Sequence, residues 1–597
     1  MCTLPVWSSP VPGYPRPRSV SPTALAELAA ALAVPVPPEF GHGAVSGVTH
    51  ASESVLPGDL YAALPGSRHH GAEFIAAAAR AGAVAVLTDP VGAAAAQQAD
   101  LPAIVVPDPR AVLGEVAARV YGDPTRGLTV LGITGTAGKT STAYLIEAGL
   151  RAAGRVTGLI GTVETRMGDL VLDSVRTTPE ATDLQALLAV AVERGVDSVA
   201  MEVSSHALAL GRVGGVRFRV GGFTNLGTDH LDFHADVEEY FQAKARLFDG
   251  RSGTAVINLD DEGGRRLLRS GVQTPAGQTP AGQPPAGRTS AGQTPAVQAP
   301  VVQTYSARGA ADATWYATGL VDDGYAQRFV AHGPGGVAVP AGVSLPGHHN
   351  VANALLAIAV LVAVDVDPVV AAAAVAACPG APGRMERVND RGGAPGGGSG
   401  GAPGGGSGGV PGGGSGGAPA GVIGVVDYAH KPDAVVEVLA ALRRLVRDGA
   451  RLICVIGAGG DRDRGKRPVM GAAAARGADL VLVTDDNPRT EDPAAIRAQV
   501  LQGARDAGSR AGSSRAGSSR PGSSRAGGAE VIEVPDRRAA IRHAVGLARP
   551  GDVVAVLGKG HERGQEIAGR TYPFDDRVEL ADALRGHASA PATGAAR

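Results

Sequence analysis

One short segment near residue 130 limits the possible folds of this chain more than any other. Apart from Gly132, residues 128–133 are aliphatic or β-branched, which is typical of a buried strand. A turn containing Gly135 and Gly138 follows, and Lys139 and Thr140 then open a helical pattern. This order predicts a polyphosphate-binding loop, because backbone N–H groups and a helix N-terminus face the anion. Lys139 would reach the outer phosphates, and the Thr140 hydroxyl would be a Mg²⁺ ligand.

The glycine spacing of this segment departs from the common phosphate-binding loop. The position five residues before Gly138 is Ile133, and Gly132 stands one place earlier. The alternative is a glycine-rich turn that joins a strand to a helix by chance. Lys139 and Thr140 at the start of the helix favour the phosphate-binding interpretation.

Composition narrows the classes of partner. The formal net charge is −2 and aromatic residues make up 4% of the 597 residues, so neither charge nor stacking favours nucleic acid or an anionic membrane. Cys2, Cys378 and Cys454 are far apart, without metal-site spacing, as expected for a reducing compartment. The N-terminus lacks a signal sequence, and no apolar run is long enough to span a membrane. We expect a soluble, cytoplasmic monomer that acts on small molecules.

Strand patterns alternate with helical patterns along most of the chain, which predicts α/β domains with mainly parallel sheets. We predict three of them: an N-terminal domain at 21–127, a central domain at 128–383 with a P-loop ATPase-like parallel sheet, and a Rossmann-like domain at 384–597. Residues 1–20 are predicted to be a disordered leader. Ser21 as N-cap and Pro22 at the first helical position predict a helix from 21 to 32.

Three low-complexity stretches interrupt these patterns. They repeat Thr-Pro-Ala-Gly-Gln, Gly-Gly-Ala-Pro-Gly-Gly-Gly-Ser and Ala-Gly-Ser-Ser-Arg, respectively. Such compositions bury too little apolar surface to offset the entropy of ordering. We therefore predict flexible inserts at 272–303, 390–420 and 503–528.

Three polar residues after the phosphate loop are candidates for a metal site. Glu202 ends a predicted strand at 197–203, His230 follows the next strand, and Lys244 lies on a later helix. A carboxylate at a strand end beside bound phosphates suits Mg²⁺, which prefers hard oxygen ligands. Each residue alone would more simply be a surface or core polar group, but their order after the loop favours a site.

The motifs, taken in chain order, resemble those of the Mur ligase family. They are Thr134-Gly135-Thr136-Ala137-Gly138-Lys139-Thr140, Glu202-Val203-Ser204-Ser205, Asp229-His230-Leu231-Asp232, Ala243-Lys244, Gly347 with Asn350 and Asn353, Pro382-Gly383-Arg384-Met385-Glu386, and Asp427-Tyr428-Ala429-His430. The resemblance covers about residues 45–580 except the inserts. It implies an ATP-dependent amino-acid ligase that builds the peptide of bacterial peptidoglycan.

The last domain carries the motif that separates subtypes within this family. Asp485-Asp486-Asn487-Pro488-Arg489 contains Asp-Asn-Pro-Arg, which by resemblance marks members that add meso-diaminopimelate rather than lysine. The chemistry agrees, because Arg can clasp the second carboxylate of meso-diaminopimelate and would repel the ammonium of lysine. The simpler alternative is a surface arginine. The resemblance implies seven amino-acid contacts: Arg462, Asp486, Asn487, Pro488, Arg489, Gly558 and Glu562.

The resemblance also implies the remaining ligand contacts. ATP would be bound by Thr134, Gly135, Thr136, Ala137, Gly138, Lys139, Thr140, Asn353, Arg384 and Asp427, with Asn353 and Asp427 flanking the adenine and ribose. The acceptor UDP-MurNAc-L-Ala-D-Glu would be bound by Ser52, Thr177, Thr178, Ser204 and Arg212, its nucleotide lying against the N-terminal domain. Ala51, Glu53 and Leu210 depart from the pattern of many relatives at this acceptor site.

The implied reaction is activation of the D-Glu carboxylate as an acyl phosphate, followed by attack of the amine. Mg²⁺ would be held by Thr140 and Glu202, and a second ion by His230 and Lys244. Because an ammonium cannot bind a cation, Lys244 would first react with CO₂ to form a carbamate. Lys139, His230, Lys244 and Arg384 would be the catalytic residues.

Two rival functions differ from this one in testable ways. A folylpolyglutamate synthetase has a related ATP core but needs neither the N-terminal domain nor the Asp-Asn-Pro-Arg motif. A non-catalytic nucleotide-binding module would not need the full set of residues that is present here: Lys139, Thr140, Glu202, His230, Lys244 and Arg384.

Overall fold

The computed structural model describes residues 14–35, 43–66, 68–271, 300–388, 421–513 and 528–589. The chain divides into two compact units, the first formed by Met1–Val321, Arg328–Val343 and His349–Cys378, and the second by Asp322–Gln327, Ser344–His348 and Pro379–Arg597. No helix among the described residues is long and apolar enough to cross a bilayer.

The N-terminal part of the first unit is a small parallel sheet with helices around it. Its elements are β1 Thr23–Ala24, α1 Leu25–Ala31, β2 Ala44–Val45, β3 Gly47–Thr49, β4 Asp59–Ala63, α2 Ile75–Ala81, β5 Ala85–Thr88, α3 Pro90–Gln98, β6 Ala103–Val105 and α4 Pro109–Val120. The sheet order is β3-β4-β5-β6, with every pair parallel. The buried side chains of Leu60, Leu87 and Ile104 form its core with Val116 of α4.

Two predictions for the N-terminus need correction. The first helix begins at Leu25 rather than Ser21, because Thr23 and Ala24 pair with β2 as an antiparallel strand. Residues 14–20 of the predicted leader are described and in part anchored. The Arg16 guanidinium donates to both carboxylate oxygens of Asp59 at 2.7 and 2.8 Å, and Asp59 is only 2% exposed. This contact gives a buried carboxylate its counter-charge. Residues 1–13 lie outside the described ranges.

The larger sheet of the first unit has eleven strands. Its elements are β7 Thr129–Thr134, α5 Lys139–Ala152, β8 Thr157–Ile160, β9 Glu164–Met167, β10 Leu170–Asp173, α6 Ala181–Glu193, β11 Ser198–Glu202, α7 Ser205–Ala209, β12 Phe218–Phe223, α8 Val237–Ala245, β13 Ser252–Asn258, α9 Glu262–Arg269, β14 Val301–Ser306, β15 Trp315–Asp323, β16 Ala326–Gly333, β17 Val337–Val343, α10 His348–Val362 and α11 Pro368–Ala377. The order is β10-β9-β8-β11-β7-β12-β13-β14-β15-β16-β17. Strand β7 lies between β11 and β12, parallel to both, so their carboxyl ends meet at one edge.

The second unit contains a six-stranded sheet. Its elements are β18 Glu386–Val388, β19 Ile423–Asp427, α12 Pro432–Arg443, β20 Leu452–Ile456, α13 Lys466–Gly477, β21 Leu480–Val483, α14 Pro493–Ser513, β22 Glu530–Glu533, α15 Arg537–Leu547, β23 Val553–Leu557, β24 Gly564–Ile567, β25 Arg570–Pro573 and α16 Asp576–Ser589. The order is β18-β19-β23-β20-β21-β22, and only β18 is antiparallel to its neighbour. The predicted α/β fold with parallel sheets is confirmed.

Structured residues extend into two of the predicted inserts. Strand β14 begins at Val301, inside the insert predicted at 272–303, because it pairs with β13 as a further parallel strand. Helix α14 continues to Ser513 and so overlaps the start of the insert predicted at 503–528. Residues 272–299, 389–420 and 514–527, which hold most of the three repeats, lie outside the described residues.

Candidate active site

The loop between β7 and α5 leaves no space for side chains at its two key glycines. Gly135 has a φ of +143° and Gly138 a φ of +87°. A Cβ at Gly135 would lie 1.8 Å from Thr224 Oγ1, and one at Gly138 would lie 2.4 Å from Asn353 Oδ1. Asn225 Oδ1 accepts the Ala137 N–H at 2.9 Å and so supports the turn between them. The loop is therefore held in a conformation that only glycine readily adopts at these positions.

Two lysines converge on this loop. Lys139 Nζ donates to the Gly135 carbonyl oxygen at 2.9 Å, and Lys244 Nζ donates to the same oxygen at 2.8 Å. Lys244 is only 1% exposed, and its ammonium lies 4.2 Å from the centre of the Tyr240 ring. Two ammonium groups beside a glycine loop are suited to bind a polyanion.

Oxygen ligands lie side by side at the same edge. The Thr140 hydroxyl donates to Glu202 Oε2 at 2.9 Å, and the Thr162 N–H donates to Glu202 Oε1 at 2.7 Å. Glu202 ends β11 and is buried. A hydroxyl and a carboxylate beside a phosphate-binding loop are the hard donors that Mg²⁺ prefers, so these residues fit that ion.

His230 lies in the loop after β12 and is half-exposed. Its Nε2 is 3.2 Å from Asp229 Oδ2, and its backbone has a φ of +54°. Its ring is 4.7 Å from that of His206 and 6.2 Å from that of Tyr240. No group of three or more His, Cys, Asp or Glu side chains in the described ranges is arranged to hold a metal ion. A metal at this edge would therefore also need oxygen ligands from bound phosphates.

Four of the five residues predicted to bind the acceptor lie next to Glu202. Thr178 Oγ1 donates to the Glu202 carbonyl at 2.9 Å and accepts the Ser204 N–H at 3.1 Å. Arg212 donates to the Thr178 carbonyl at 3.4 Å, and Thr177 Oγ1 is 3.0 Å from Thr162 Oγ1.

The fifth predicted acceptor residue follows a strand of the N-terminal sheet. Ser52 starts a short 3₁₀ turn, Ser52–Ser54, after β3, and its hydroxyl is 3.4 Å from Glu53 Oε2. Its place on a different sheet is compatible with a long acceptor whose two ends are bound separately.

Asn353 and Asp427, which were predicted to flank the adenine and ribose, both make close contacts with protein groups. Asn353 is buried against Gly138 of the phosphate loop, which is the phosphate end of a nucleotide site. Asp427 accepts the backbone N–H groups of Met385 and Ala429, both at 2.7 Å, and burial raises the pKa of its carboxyl group. Asp427 thus anchors the segment that carries Arg384.

Arg384 itself stacks on an aromatic ring. Its guanidinium carbon lies 4.4 Å from the centre of the Tyr428 ring, and its Nε has no hydrogen-bond partner among the described residues. His430 and His561 also contact Tyr428. Burial lowers the pKa of His430 to about 4 and that of His561 to about 3, so both imidazoles are neutral near pH 7.

The second unit brings several of the predicted amino-acid contacts together. Asn487, after β21, donates from Nδ2 to Glu562 Oε2 at 2.8 Å. Gly558, after β23, has a φ of +120°, and a Cβ there would lie 2.4 Å from Asp486 Oδ2. Pro488 is buried next to Asn487. A side chain at position 558 would therefore disturb the loop that carries these groups.

Arg489 is held by the β24–β25 hairpin and by a neighbouring loop. Its Nη1 donates to the Gly460 carbonyl at 2.7 Å, and its Nε lies 3.3 Å from Glu566 Oε2. Its backbone N–H donates to the Glu566 carbonyl at 3.0 Å, and its φ is +55°. Arg462 is exposed on the loop that follows Gly460. This arrangement fixes the position of one guanidinium at the edge of the sheet.

Comparison with known proteins identifies the family to which this chain belongs. A UDP-N-acetylmuramoyl-L-alanyl-D-glutamate--2,6-diaminopimelate ligase of Streptomyces coelicolor is 50% identical over 575 residues, which cover 96% of this chain and 99% of the relative. The chain belongs to the Mur ligase family. Three Mur ligase family models match it: the family's catalytic domain at 44–121, the middle domain at 133–275 and the glutamate ligase domain at 415–560.

Two further Mur ligases extend the comparison. A ligase of the same name from Streptomyces avermitilis is 49% identical, over 96% of this chain and 99% of the relative. A solved structure of a UDP-N-acetylmuramoyl-L-alanyl-D-glutamate--2,6-diaminopimelate ligase is 31% identical, with a TM-score of 0.60, and covers 92% of this chain and 96% of that one. The three-domain Mur ligase fold is therefore shared.

Sequence reasoning did not single out several residues that support the Mur ligase site. Asn225 and Thr162 hold the phosphate loop and Glu202, and Glu566 pairs with Arg489. Lys559 is fully buried between Asn487 and Glu562. The sequence Gly558-Lys559-Gly560 could have drawn attention to Lys559, because a lysine between two glycines is distinctive. Thr162 has no such local pattern.

Proposed function

We propose that this Mur ligase joins meso-2,6-diaminopimelate to the D-Glu of UDP-MurNAc-L-Ala-D-Glu, with hydrolysis of ATP, in peptidoglycan precursor synthesis. The observation that carries the proposal is the 50% identity, over nearly the full length of both chains, to a relative named for this reaction. Arg489 in the Asp-Asn-Pro-Arg motif supports the choice of amino acid, because a guanidinium suits a second carboxylate.

In the first step, a carboxylate oxygen of the D-Glu attacks the γ-phosphorus of ATP. The bond between that phosphorus and the β–γ bridging oxygen breaks, ADP leaves with the electron pair, and an acyl phosphate forms. Lys139 would offset the charge of the β- and γ-phosphates, and the fixed loop from Gly135 to Gly138 would hold them. Thr140 and Glu202 would hold Mg²⁺, which adds charge neutralisation at the phosphates.

In the second step, the amine nitrogen attacks the acyl carbon. A tetrahedral intermediate collapses, the carbon–oxygen bond to phosphate breaks, and phosphate leaves with the electron pair while the nitrogen loses a proton. Positioning supplies most of the acceleration in such a reaction. Asn487, Glu562 and Arg489 would orient the amino acid, and Thr177, Thr178, Ser204 and Arg212 would orient the peptide end of the acceptor.

Lys244 would act as a carbamate formed with CO₂. Its ammonium shares the Gly135 carbonyl with that of the half-buried Lys139, and two neighbouring cations repel each other. Conversion of Lys244 into an anionic carbamate would turn this repulsion into attraction and would supply oxygen ligands near His230. Arg384 would contribute to phosphate binding.

The proposed function is tested by comparing two amino acids, in separate reactions of the purified protein with the same acceptor. UDP-MurNAc-L-Ala-D-Glu and MgATP are incubated with meso-diaminopimelate or L-lysine, and the product is identified by mass spectrometry. We expect the tripeptide product with meso-diaminopimelate at least about 100 times faster than with lysine. Preference for lysine would refute the role of Arg489, and ADP release only with a folate acceptor would favour the folylpolyglutamate synthetase. We also expect a monomer located in the cytoplasm.

A further inference from the structure

Lys559 is a fully buried lysine at the predicted amino-acid site that has no role in the reaction described above. It follows Gly558 at the end of β23 and is 0% exposed. Its Nζ donates to Asn487 Oδ1 at 2.9 Å and to Glu562 Oε2 at 3.0 Å, and it lies 3.9 Å from Asp486 Oδ1. A buried ammonium with this many acceptors fixes the groups around it.

The first group that Lys559 fixes is the Asn487 amide. An amide side chain has two orientations related by a 180° rotation, and they differ in which atom accepts hydrogen bonds. Asn487 Oδ1 accepts from both Lys559 Nζ and the Glu566 N–H, the latter at 3.0 Å, while its Nδ2 donates to Glu562. Only one orientation satisfies all three contacts, so the Nδ2 group faces Glu562.

The second effect of Lys559 concerns charge. Glu562 and Asp486 place two carboxylates near the Lys559 ammonium. The Glu562 side chain is 31% exposed, so its carboxylate can also accept from the ammonium that an amino acid brings to the site. Without Lys559 the buried Asp486 and the half-buried Glu562 would lose the cation that they share, and Glu562 would lose a hydrogen bond that holds its carboxylate.

We propose that Lys559 is a positioning residue for the amino-acid substrate: it sets the orientation of the Asn487 amide and holds the Glu562 carboxylate where a substrate ammonium binds. The proposal rests on the proposed function, because it names the group that organises the amino-acid site of that reaction. Lys559 acts through Asn487 and Glu562 and takes no part in phosphoryl transfer.

The variant Lys559→Met tests the proposal, because methionine keeps a similar length and removes the charge. Arg443→Met is the matched control. Arg443 donates to Asp479 and to the Gly477 carbonyl in the same unit, before the start of β21 and thus at the opposite end of that strand from Asn487. Both variants and the parent are assayed for ligation over a range of meso-diaminopimelate concentrations.

A second assay separates the amino-acid site from the rest of the enzyme. Hydroxylamine is a small nucleophile that attacks the acyl phosphate directly, gives a hydroxamate and releases phosphate. Its reaction needs ATP and the acceptor but no amino-acid pocket. Hydroxamate formation therefore shows whether a variant is folded and still carries out the first step.

We expect Lys559→Met to raise the KM for meso-diaminopimelate about 100-fold, because it leaves buried polar groups without their partner. Its hydroxamate formation should stay within about 3-fold of the parent, since the first step does not use the amino-acid site. Arg443→Met should match the parent in both assays.

Two results would overturn the proposal. One is a KM for meso-diaminopimelate that is unchanged in Lys559→Met. The other is an equal loss of ligation and hydroxamate formation, which would give Lys559 a general structural role. If the parent itself forms hydroxamate but joins no meso-diaminopimelate, the proposed function fails instead, so the two failures can be told apart.

Discussion

Two buried lysines, Lys244 in the first unit and Lys559 in the second, donate to different kinds of acceptor. Lys244 donates to the Gly135 carbonyl, a neutral acceptor that it shares with Lys139. Lys559 lies between two carboxylates and an amide. The first lysine lies beside the phosphate loop, and the second lies beside the groups predicted to bind the amino acid. The hydrogen-bond acceptors of the two lysines thus differ: a backbone carbonyl in the first region, and carboxylates with an amide in the second.

The largest expected effect comes from removing Lys244. We expect Lys244→Ala to lower kcat at least about 1000-fold, because it removes a buried charge beside the phosphate loop. Bicarbonate should restore nothing, since alanine has no amine for CO₂. Arg251→Ala, a partly exposed arginine paired with Asp249 in the same unit, is the control.

The carbamate has a readout other than activity. Parent protein prepared in ¹³C-bicarbonate should give a carbamate carbon signal in an NMR spectrum, and Lys244→Ala should lack it. Near-normal ligation by Lys244→Ala would contradict the proposed role of this lysine.

The second-largest effect is expected from removing Arg489, which is proposed to select the amino acid. Arg489→Ala should raise the KM for meso-diaminopimelate about 100-fold and leave hydroxamate formation unchanged, because a bidentate carboxylate contact is lost. The preference over lysine should shrink by a similar factor. Rates with the two amino acids at saturating acceptor measure both quantities, and an unchanged preference would assign the selection to another residue.

A smaller effect is expected for Glu566, which pairs with Arg489. The two side chains are 23% and 41% exposed, so solvent screens the ion pair. We expect Glu566→Gln to raise the KM for meso-diaminopimelate by only about 3-fold, since the backbone contacts that position Arg489 remain. A rise as large as that in Arg489→Ala would mean that the pair, rather than the backbone, orients the guanidinium.

The smallest effect is a pH dependence of stability in the second unit. Burial lowers the pKa of His430 from 6.5 to about 4. The unfolded chain binds a proton below about pH 6.5 and the folded chain does not, so stability falls as the pH drops from 6.5 towards 4. At pH 5.5 this linkage would cost about 1 kcal/mol relative to pH 7.5. Urea unfolding at both pH values measures it, and His430→Gln should show a smaller difference than the parent.

Local patterns were sufficient to predict the α/β fold class and the strands next to the site. The strand predicted at 197–203 agrees with β11 to within one residue at each end. Buried parallel strands are continuous apolar runs, and the polar residues that follow them mark the edge where ligands bind. The helix predicted to start at Ser21 failed because a long-range partner, β2, turned Thr23 and Ala24 into a strand.

The sequence by itself was enough to predict the class of reaction, through the order of the phosphate loop, Glu202, Lys244 and the Asp-Asn-Pro-Arg motif, because each is a short pattern with its own physical meaning. Only the tertiary structure decided which residues support that chemistry. It brings Asn353 against Gly138, and it brings Lys559 to Asn487 across 72 positions in the chain. Such contacts depend on which strands lie side by side, and pairing between distant segments leaves no periodic signal in the sequence.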